Sequence, residues 1–331
     1  MNLKRFAEEI GVSQPTVSKV LNNCFGVDGR TRAYVREEAR KRGLLPEDGR
    51  TDVFCILPSA PTYFWRPVFE NLYRAARSEE YRAKFNVYSR LVDEDAVLAY
   101  LEQARALDAR ALVVAALITP RVKAVLEELA TDRLVILLNQ YADVRNVFYV
   151  GEDGGASGRA LGEECRELFG RCPRIIHLST GDNGNAHRRN TGFWEIAAHY
   201  GAVSAGRISL YATEQILASR LARELSAMAG QFDGIYCDDG ILSHAALAAE
   251  KLRTGRLLPC IGYECPGGGR KYRESGAIAA YVFQDHVAQG EKVMELVYTY
   301  LQTDAFPAQK YNYVPSRTWI HPRYKARDKE M

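Results

Sequence analysis

The side chains best placed to hydrogen-bond to another molecule lie on one short segment near the start of the chain, residues 13–22. Val17, Val20 and Leu21 give this segment one apolar stripe at helical spacing and leave its polar residues facing outward. A first amphipathic helix precedes it, and Gly11, which takes positive φ at little cost, suits the turn between the two. Two short helices joined by a tight turn are typical of a helix-turn-helix, although any small helical hairpin shares these features.

The remaining chain offers few residues at spacings suited to catalysis or metal binding. Seven cysteines are scattered without a Cys-x-x-Cys pair and six histidines show no metal-ligand spacing, so we expect reduced, buried thiols, no metal site and no cofactor. The glycine-rich run 151–158 lacks the Gly-Lys-Ser/Thr ending of a phosphate loop, and the run 267–269 resembles a flexible loop. Without a nucleophile–base pair either, these patterns predict a binding protein that is not an enzyme.

Composition predicts a soluble protein of two or three domains. The chain has 331 residues, of which 47% are hydrophobic and 26% charged, with a formal net charge of +3. Basic residues exceed acidic ones in the first 50 positions, which is the local surface that phosphate contact needs. No signal peptide or apolar run of membrane length is visible, so we expect a cytoplasmic location and no membrane partner.

From Val53 onward, short apolar runs alternate with amphipathic segments. The apolar runs predict eight buried strands, at residues 53–57, 85–88, 111–115, 134–138, 174–178, 234–237, 260–263 and 278–282. Helical periodicity predicts a third N-terminal helix at 30–42 and further helices near 67–80, 94–106, 120–130, 155–169, 215–229 and 240–254. This alternation predicts an α/β fold with parallel sheets covered on both faces, divided into two similar lobes. Ligands of such folds bind at the carboxyl ends of the strands, here in a crevice between the lobes.

The first 44 residues resemble the helix-turn-helix headpiece of the LacI-type (lactose-repressor) family without a gap, through Leu3–Ser13, Thr16–Asn22 and Thr31–Arg32. The resemblance implies an all-α DNA-binding headpiece. In it Gln14, Pro15 and Lys19 would meet base edges in the major groove, and Ser13, Thr16, Ser18 and Asn22 would contact phosphates. The following linker departs from the family: Glu47 replaces the expected asparagine and the hinge leucine is missing, so the hinge is degenerate.

Nearly all of residues 53–320 resemble the two-lobed, periplasmic-sugar-binding-like (type I) sensor domain of the same family. The matching strings are Phe64–Pro67, Gly151–Gly154, Arg189 with Gly192–Phe193, Asp238–Asp239, Gly262–Glu264, and Gln284–Asp285 with Gln289–Gly290. The resemblance implies ligand contacts from Phe64 and Trp65 in the loop after the first strand, from Arg189 and Asp239, and from Asn139, Asp153, Glu264 and Gln284. Core packing is the alternative for Phe64 and Trp65, and an interlobe structural role for Glu264 and Gln284.

Together these features divide the chain into a headpiece (1–45), a linker (46–52), a two-lobed effector-binding and dimerisation domain (53–322) and a basic tail (323–331). They predict a cytoplasmic, homodimeric transcriptional regulator, with repression favoured over activation. A small carbohydrate-like effector would control its affinity for a pseudo-palindromic double-stranded DNA operator by allostery. The alternatives are a regulator of the same fold that responds to a corepressor or to no small ligand, and an enzyme that processes a sugar or nucleotide.

Overall fold

The structure, a computed structural model, describes residues 3–21, 27, 29–42, 44, 51–59, 62–78, 81–88, 93–170, 172–179, 184–209, 214–252, 258–265 and 267–325. The chain forms two compact units. The first unit comprises Met1–Ile136, Val144–Phe148 and Val293–Ala308. The second unit comprises Leu137–Asp143, Tyr149–Lys292 and Gln309–Met331.

Three helices begin the first unit: α1 (Leu3–Glu9), α2 (Gln14–Leu21) and α3 (Gly29–Lys41). Gly11, between α1 and α2, has φ +67°, the left-handed conformation expected of a turn glycine. The Ser13 hydroxyl accepts a hydrogen bond from the backbone N–H of Thr16 (3.3 Å), which caps α2. The three helices share a small apolar core, formed by Phe6, Ala7, Ile10, Val17, Val20, Val35 and Ala39.

The rest of the chain alternates strands with helices, as predicted. The strands are β1 (Val53–Pro58), β2 (Ala83–Tyr88), β3 (Ala111–Val114), β4 (Leu134–Leu138), β5 (Phe148–Gly151), β6 (Arg174–Ser179), β7 (Val203–Ser209), β8 (Gly234–Cys237), β9 (Cys260–Tyr263), β10 (Ile278–Gln284), β11 (Tyr311–Tyr313) and β12 (Ser316–Ile320). The helices are α4 (Thr62–Ser78), α5 (Glu94–Ala106), α6 (Pro120–Leu129), α7 (Gly154–Phe169), α8 (Gly184–Ala197), α9 (Glu214–Ala227), α10 (Leu242–Lys251), α11 (Arg270–Ser275), α12 (His286–Thr303) and α13 (Pro322–Lys325). No helix in the described ranges is long and apolar enough to span a membrane.

The strands form two six-stranded sheets, in the orders β11-β5-β4-β3-β1-β2 and β12-β10-β9-β8-β6-β7. In the first sheet β1 pairs in parallel with both β2 and β3, and β1, β3 and β4 are buried along their whole length. Strands that are buried on both faces need helices above and below the sheet. The predicted α/β architecture with parallel sheets is therefore confirmed.

The second sheet shows how its strands are covered. From β7 to β10 the strand pairs are parallel, and β12 pairs antiparallel with β10. Successive side chains of a strand point to opposite faces. Ile235 and Cys237 accordingly pack in one core with residues of α9 and α10, whereas Tyr236 between them packs in a second core with residues of α7 and α8. Because β6 to β10 are parallel to one another, their carboxyl ends lie at the same edge of the sheet.

All eight predicted strands are present, and the sequence patterns missed β5, β7, β11 and β12. Helix α4 begins at Thr62, well before the predicted start near residue 67, with Pro67 inside it. The predicted loop location of Phe64 and Trp65 is therefore wrong: both lie within α4, only 7% and 4% exposed. The glycine run 267–269, expected to be a loop, forms a short 3₁₀ turn.

Candidate functional site

A cluster of charged side chains surrounds Arg189 in the second unit. Arg189 is 5% exposed and donates from both Nε and Nη2 to the Glu152 carboxylate. Its Nη1 donates to the backbone carbonyl of Asp238 (3.2 Å) and lies 3.8 Å from the Asp239 carboxylate. The Tyr263 ring lies beneath the guanidinium, with its centroid 4.1 Å from the guanidinium carbon. We call this set, with the groups described in the next four paragraphs, the Arg189 cluster.

Close helix packing holds Arg189 in place. Helix α8, which carries it, crosses α7 at glycines: a Cβ atom on Gly158 would lie 2.1 Å from the carbonyl oxygen of Arg189, and one on Gly192 would lie 2.2 Å from the carbonyl oxygen of Gly155. No real side chain tolerates such distances, so only glycine permits this approach. The acidic partners follow the carboxyl ends of strands, Glu152 after β5, Asp238 after β8 and Glu264 after β9, where ligands of α/β folds bind.

Asp153 begins α7 and pairs with a second arginine. Its carboxylate accepts hydrogen bonds from two backbone N–H groups of the first helical turn (3.0 and 3.3 Å) and from Nη2 of Arg188 (2.8 Å). Partial burial acts to raise the pKa of Asp153, but Arg188 and the backbone donors outweigh it and lower the pKa overall. The Arg188 guanidinium stacks over the Tyr141 ring at 4.4 Å and donates to the Tyr313 hydroxyl (3.4 Å). The Arg188 guanidinium is therefore held between an aromatic ring and a carboxylate.

Glu264, Gln284 and Gln289 form a buried chain of hydrogen bonds. The Glu264 carboxylate accepts from the backbone N–H (3.1 Å) and the side-chain amide (3.3 Å) of Gln284, whose own oxygen accepts from the Gln289 amide (2.9 Å). Glu264 has φ +56°, which is rare for a residue with a side chain and marks local strain at a site. Burial raises the pKa of Glu264 to about 7, so its carboxyl changes charge near neutral pH.

His177 and Asp238 form a second buried pair (2.8 Å), in which the imidazole stacks on the Tyr236 ring at 5.1 Å. Burial raises the pKa of Asp238, and the hydrogen bond from His177 partly opposes this rise. Nearby, Asn139 adopts φ +52°, and the Asn185 amide donates to its carbonyl oxygen (2.8 Å) while accepting from the backbone N–H of Tyr141 (2.9 Å). These amides complete a polar surface at the strand ends of the second unit.

Six predicted ligand residues therefore lie in the second unit, in or beside the Arg189 cluster: Asn139, Asp153, Arg189, Asp239, Glu264 and Gln284. The other two, Phe64 and Trp65, belong to the first unit and contact each other edge to face at 4.9 Å. Trp65 also lines a cavity of about 950 Å³ in that unit, whose walls include Leu57, Phe69, Tyr73, Val87, Arg66, Arg74 and Arg77.

The residues predicted to contact DNA lie on or just before α2. Ser13, Gln14, Pro15 and Lys19 are exposed and Thr16 and Ser18 half-buried, whereas Val17 and Val20 face the core. The predicted polar and apolar faces of the segment are thus present. Asn22 lies outside the described residues.

Several residues of the cluster were missed from the sequence: Glu152, His177, Arg188, Asp238, Tyr263 and Gln289. Four of them, Glu152, Arg188, Asp238 and Tyr263, adjoin a predicted residue in the chain, so proximity to a predicted position was the signal that could have found them. Within the described residues, no group of three or more histidine, cysteine, aspartate or glutamate side chains could hold a metal ion.

Comparison with known proteins identifies the family. The model of the periplasmic binding protein domain matches residues 53–305. The chain belongs to this family. No curated protein sequence matches the chain. Members of the family are binding proteins, which confirms the prediction that the chain is not an enzyme.

Solved structures share the fold at low sequence identity. A glucose–galactose binding protein from Geobacillus stearothermophilus superposes with a TM-score of 0.73 at 17% identity, covering 84% of this chain and 99% of that one. A periplasmic solute-binding protein of an ABC transporter from Actinobacillus succinogenes, with bound D-allose, gives 0.71 at 15% identity (83% and 99%). A carbohydrate-transporter solute-binding protein from Agrobacterium radiobacter, in complex with D-arabinose, gives 0.71 at 15% identity (83% and 98%). The two-lobed, periplasmic-binding-protein-like fold predicted for this region is thereby confirmed.

These comparisons contradict the predicted biological role. The matched family is that of the periplasmic binding protein domain, the three structures are those of proteins described as binding or transporting sugars, and none of the three is described as binding DNA. The prediction of a homodimeric DNA-binding transcriptional regulator with an operator partner is therefore wrong. The predicted cytoplasmic location is wrong as well, because the family and its neighbours are named for the periplasm or for solute transport.

Proposed function

We propose that the protein is a sugar-binding receptor whose second unit binds a small monosaccharide through the Arg189 cluster. The observation that carries this proposal is the convergence of charged and amide side chains at strand carboxyl ends around one stacked, ion-paired arginine. Charged groups and amides that are fixed by their own hydrogen bonds can orient sugar hydroxyls without first losing side-chain freedom. The solved relatives that bind glucose or galactose, allose and arabinose support the ligand class.

The residues of this proposed site are Asn139, Asp153, Arg189, Asp239, Glu264 and Gln284, to which the structure adds Arg188. Asp239 is the carboxylate best placed to reach a ligand, because its side chain remains 36% exposed beside Arg189. Phe64 and Trp65 remain proposed as aromatic ligand contacts; both belong to the first unit, where Trp65 lines the cavity described above and the two rings contact each other edge to face.

Isothermal titration calorimetry and thermal shift with D-glucose, D-galactose, D-allose, D-arabinose and D-fructose test this function. A sugar at about 100 times its Kd adds about 2.7 kcal/mol of stability, which raises the melting temperature measurably. Asp239→Ala should weaken binding by about tenfold or more, since hydrogen bonds to charged groups are the strong ones. Glu274→Ala, on α11, where the exposed Glu274 pairs with Arg270, is the matched control and should bind normally. Failure of every sugar to bind would refute the proposal.

We also propose the predicted division of the chain into residues 1–45, 46–52, 53–322 and 323–331, and a helix-turn-helix fold like that of LacI-type headpieces for the first of these. The support is the turn at Gly11, the cap on α2 and a core built only from residues 3–44. This proposal concerns the fold alone. Limited proteolysis should cut first between residues 46 and 52, leaving a fragment that starts near β1; early cleavage inside α1–α3 would contradict it.

A further inference from the structure

Acidic groups outnumber basic ones in the Arg189 cluster. Its carboxyl groups belong to Glu152, Asp153, Asp238, Asp239 and Glu264. The guanidinium groups in contact with them are those of Arg188 and Arg189, and Arg207 reaches the edge of the cluster, where it donates to the Ser179 hydroxyl (3.2 Å). Counting all three arginines and the His177 imidazole, which pairs with Asp238, the five carboxyl groups still exceed the four basic side chains by one.

Most of the buried polar atoms of the cluster that lack a hydrogen-bond partner are acceptors. Glu152 Oε2 and Asp238 Oδ1 are buried and have no hydrogen-bond partner, and their side chains are only 0% and 1% exposed. The Gln289 side-chain oxygen, 0% exposed, is also without a partner. Within the described part of the cluster, the buried donor Arg188 Nε lacks an acceptor, and the Tyr236 hydroxyl, which can donate or accept, lacks a partner. A buried polar atom left without a partner is costly, so the cluster is short of hydrogen-bond donors and positive charge.

The titration behaviour of the carboxyl groups agrees with this deficit. Burial raises the pKa of Glu152 and of Asp238, and the neighbouring charge of Asp239 adds to the rise in both. Glu264, whose pKa is raised to about 7 mainly by burial, also lies within the field of Glu152. A cation placed among these groups would favour their ionised forms.

We propose that the Arg189 cluster selects a sugar that carries an ammonium group, binding it more tightly than the neutral sugar and much more tightly than the corresponding sugar acid. This inference rests on the proposed function and names the ligand class of the same site. The ammonium group supplies hydrogen-bond donors and a positive charge, while the ring hydroxyls use the amides and arginines. A sugar carboxylate would add a further acidic group to a site whose carboxyl groups already outnumber its basic side chains.

Calorimetry at pH 7 with matched sugars tests the order of affinity on the unaltered protein. The two series are glucosamine, glucose and glucuronate, and galactosamine, galactose and galacturonate. In each series that binds, we expect the amino sugar to bind about tenfold more tightly than the neutral sugar, and the acid to bind most weakly. Raising the salt concentration should narrow the difference.

A charge-neutralising variant separates electrostatics from shape. Asp239→Asn keeps the size of the side chain and removes one negative charge from the exposed side of the cluster, so the ratio of amino-sugar to neutral-sugar affinity should fall several-fold. Glu274→Gln makes the same change in net charge on α11 and should leave that ratio unaltered. Equal affinity for the three sugars of a binding series, or tighter binding of the acid, would overturn this inference and leave the proposed function standing. If no sugar of any charge binds, the proposed function fails and the inference fails with it.

Discussion

Replacement of Arg189 by methionine is the most direct test of the ion pair at the centre of the second unit. Methionine keeps most of the apolar stem over the Tyr263 ring and removes the charge that compensates Glu152. The Glu152 carboxyl, 1% exposed, would then take up a proton rather than remain ionised without a partner. Protonating at pH 7 a group whose ordinary pKa is about 4.3 costs about 4 kcal/mol, in line with the 3–5 kcal/mol typical of a broken buried ion pair.

Differential scanning calorimetry measures this cost. With a cost of about 4 kcal/mol and about 2–4 °C per kcal/mol, Arg189→Met should lower the melting temperature by roughly 8–16 °C at pH 7. The deficit should shrink toward pH 5, because in the variant the pKa of Glu152 rises further and the folded state binds the proton more tightly than the unfolded chain does. Adding Glu152→Gln should restore part of the stability, since it removes the uncompensated charge. A pH-independent loss below about 1 kcal/mol, or a double variant as unstable as the sum of the two single ones, would refute this account of the pair.

Three further outcomes follow from other parts of the molecule. Glu264→Gln keeps the acceptor for Gln284 and should raise the stability of the protein at pH 8 while flattening its pH dependence. Because the pKa of Glu264 is raised to about 7, the folded protein is stabilised when this carboxyl is protonated and loses that stability as the pH rises through 7. Denaturant unfolding measured over a pH series would show the difference. Gly158→Ala should cost about 1–3 kcal/mol and weaken sugar binding, because its Cβ would meet the Arg189 carbonyl; normal stability and affinity would contradict the close helix crossing. Val20→Asp should unfold α1–α3, because it places a charge in their apolar core, and helical circular dichroism should fall. Sugar titrations on the same sample should stay unchanged. A variant with normal dichroism would count against that core.

Hydrophobic pattern was sufficient for the buried strands and failed for the others. Strands such as β4 are apolar at every position, which predicts burial on both faces whatever their neighbours are. Strand β7 contains Gly206 and is mostly exposed or half-buried, so only its pairing with β6 makes it a strand. Helix α4 begins at Thr62, ahead of the start that periodicity predicted near residue 67, and it continues through Pro67, which has no backbone N–H to donate.

The strand-end residues of the site could be predicted from the same apolar pattern, whereas its ion pair could not. Strand-end positions such as Asp239 and Glu264 can be located from sequence, because apolar runs end there. The pairing of Glu152 with Arg189 joins residues 37 positions apart, and it depends on how closely α8 approaches α7. That approach is set by Gly158 and Gly192, which carry no chemistry and look like ordinary helix-weakening residues in the sequence. Gly158 and Gly192 therefore determine how closely Arg189 approaches Glu152. The sequence pattern contains no sign of this approach, so it does not predict the ion pair.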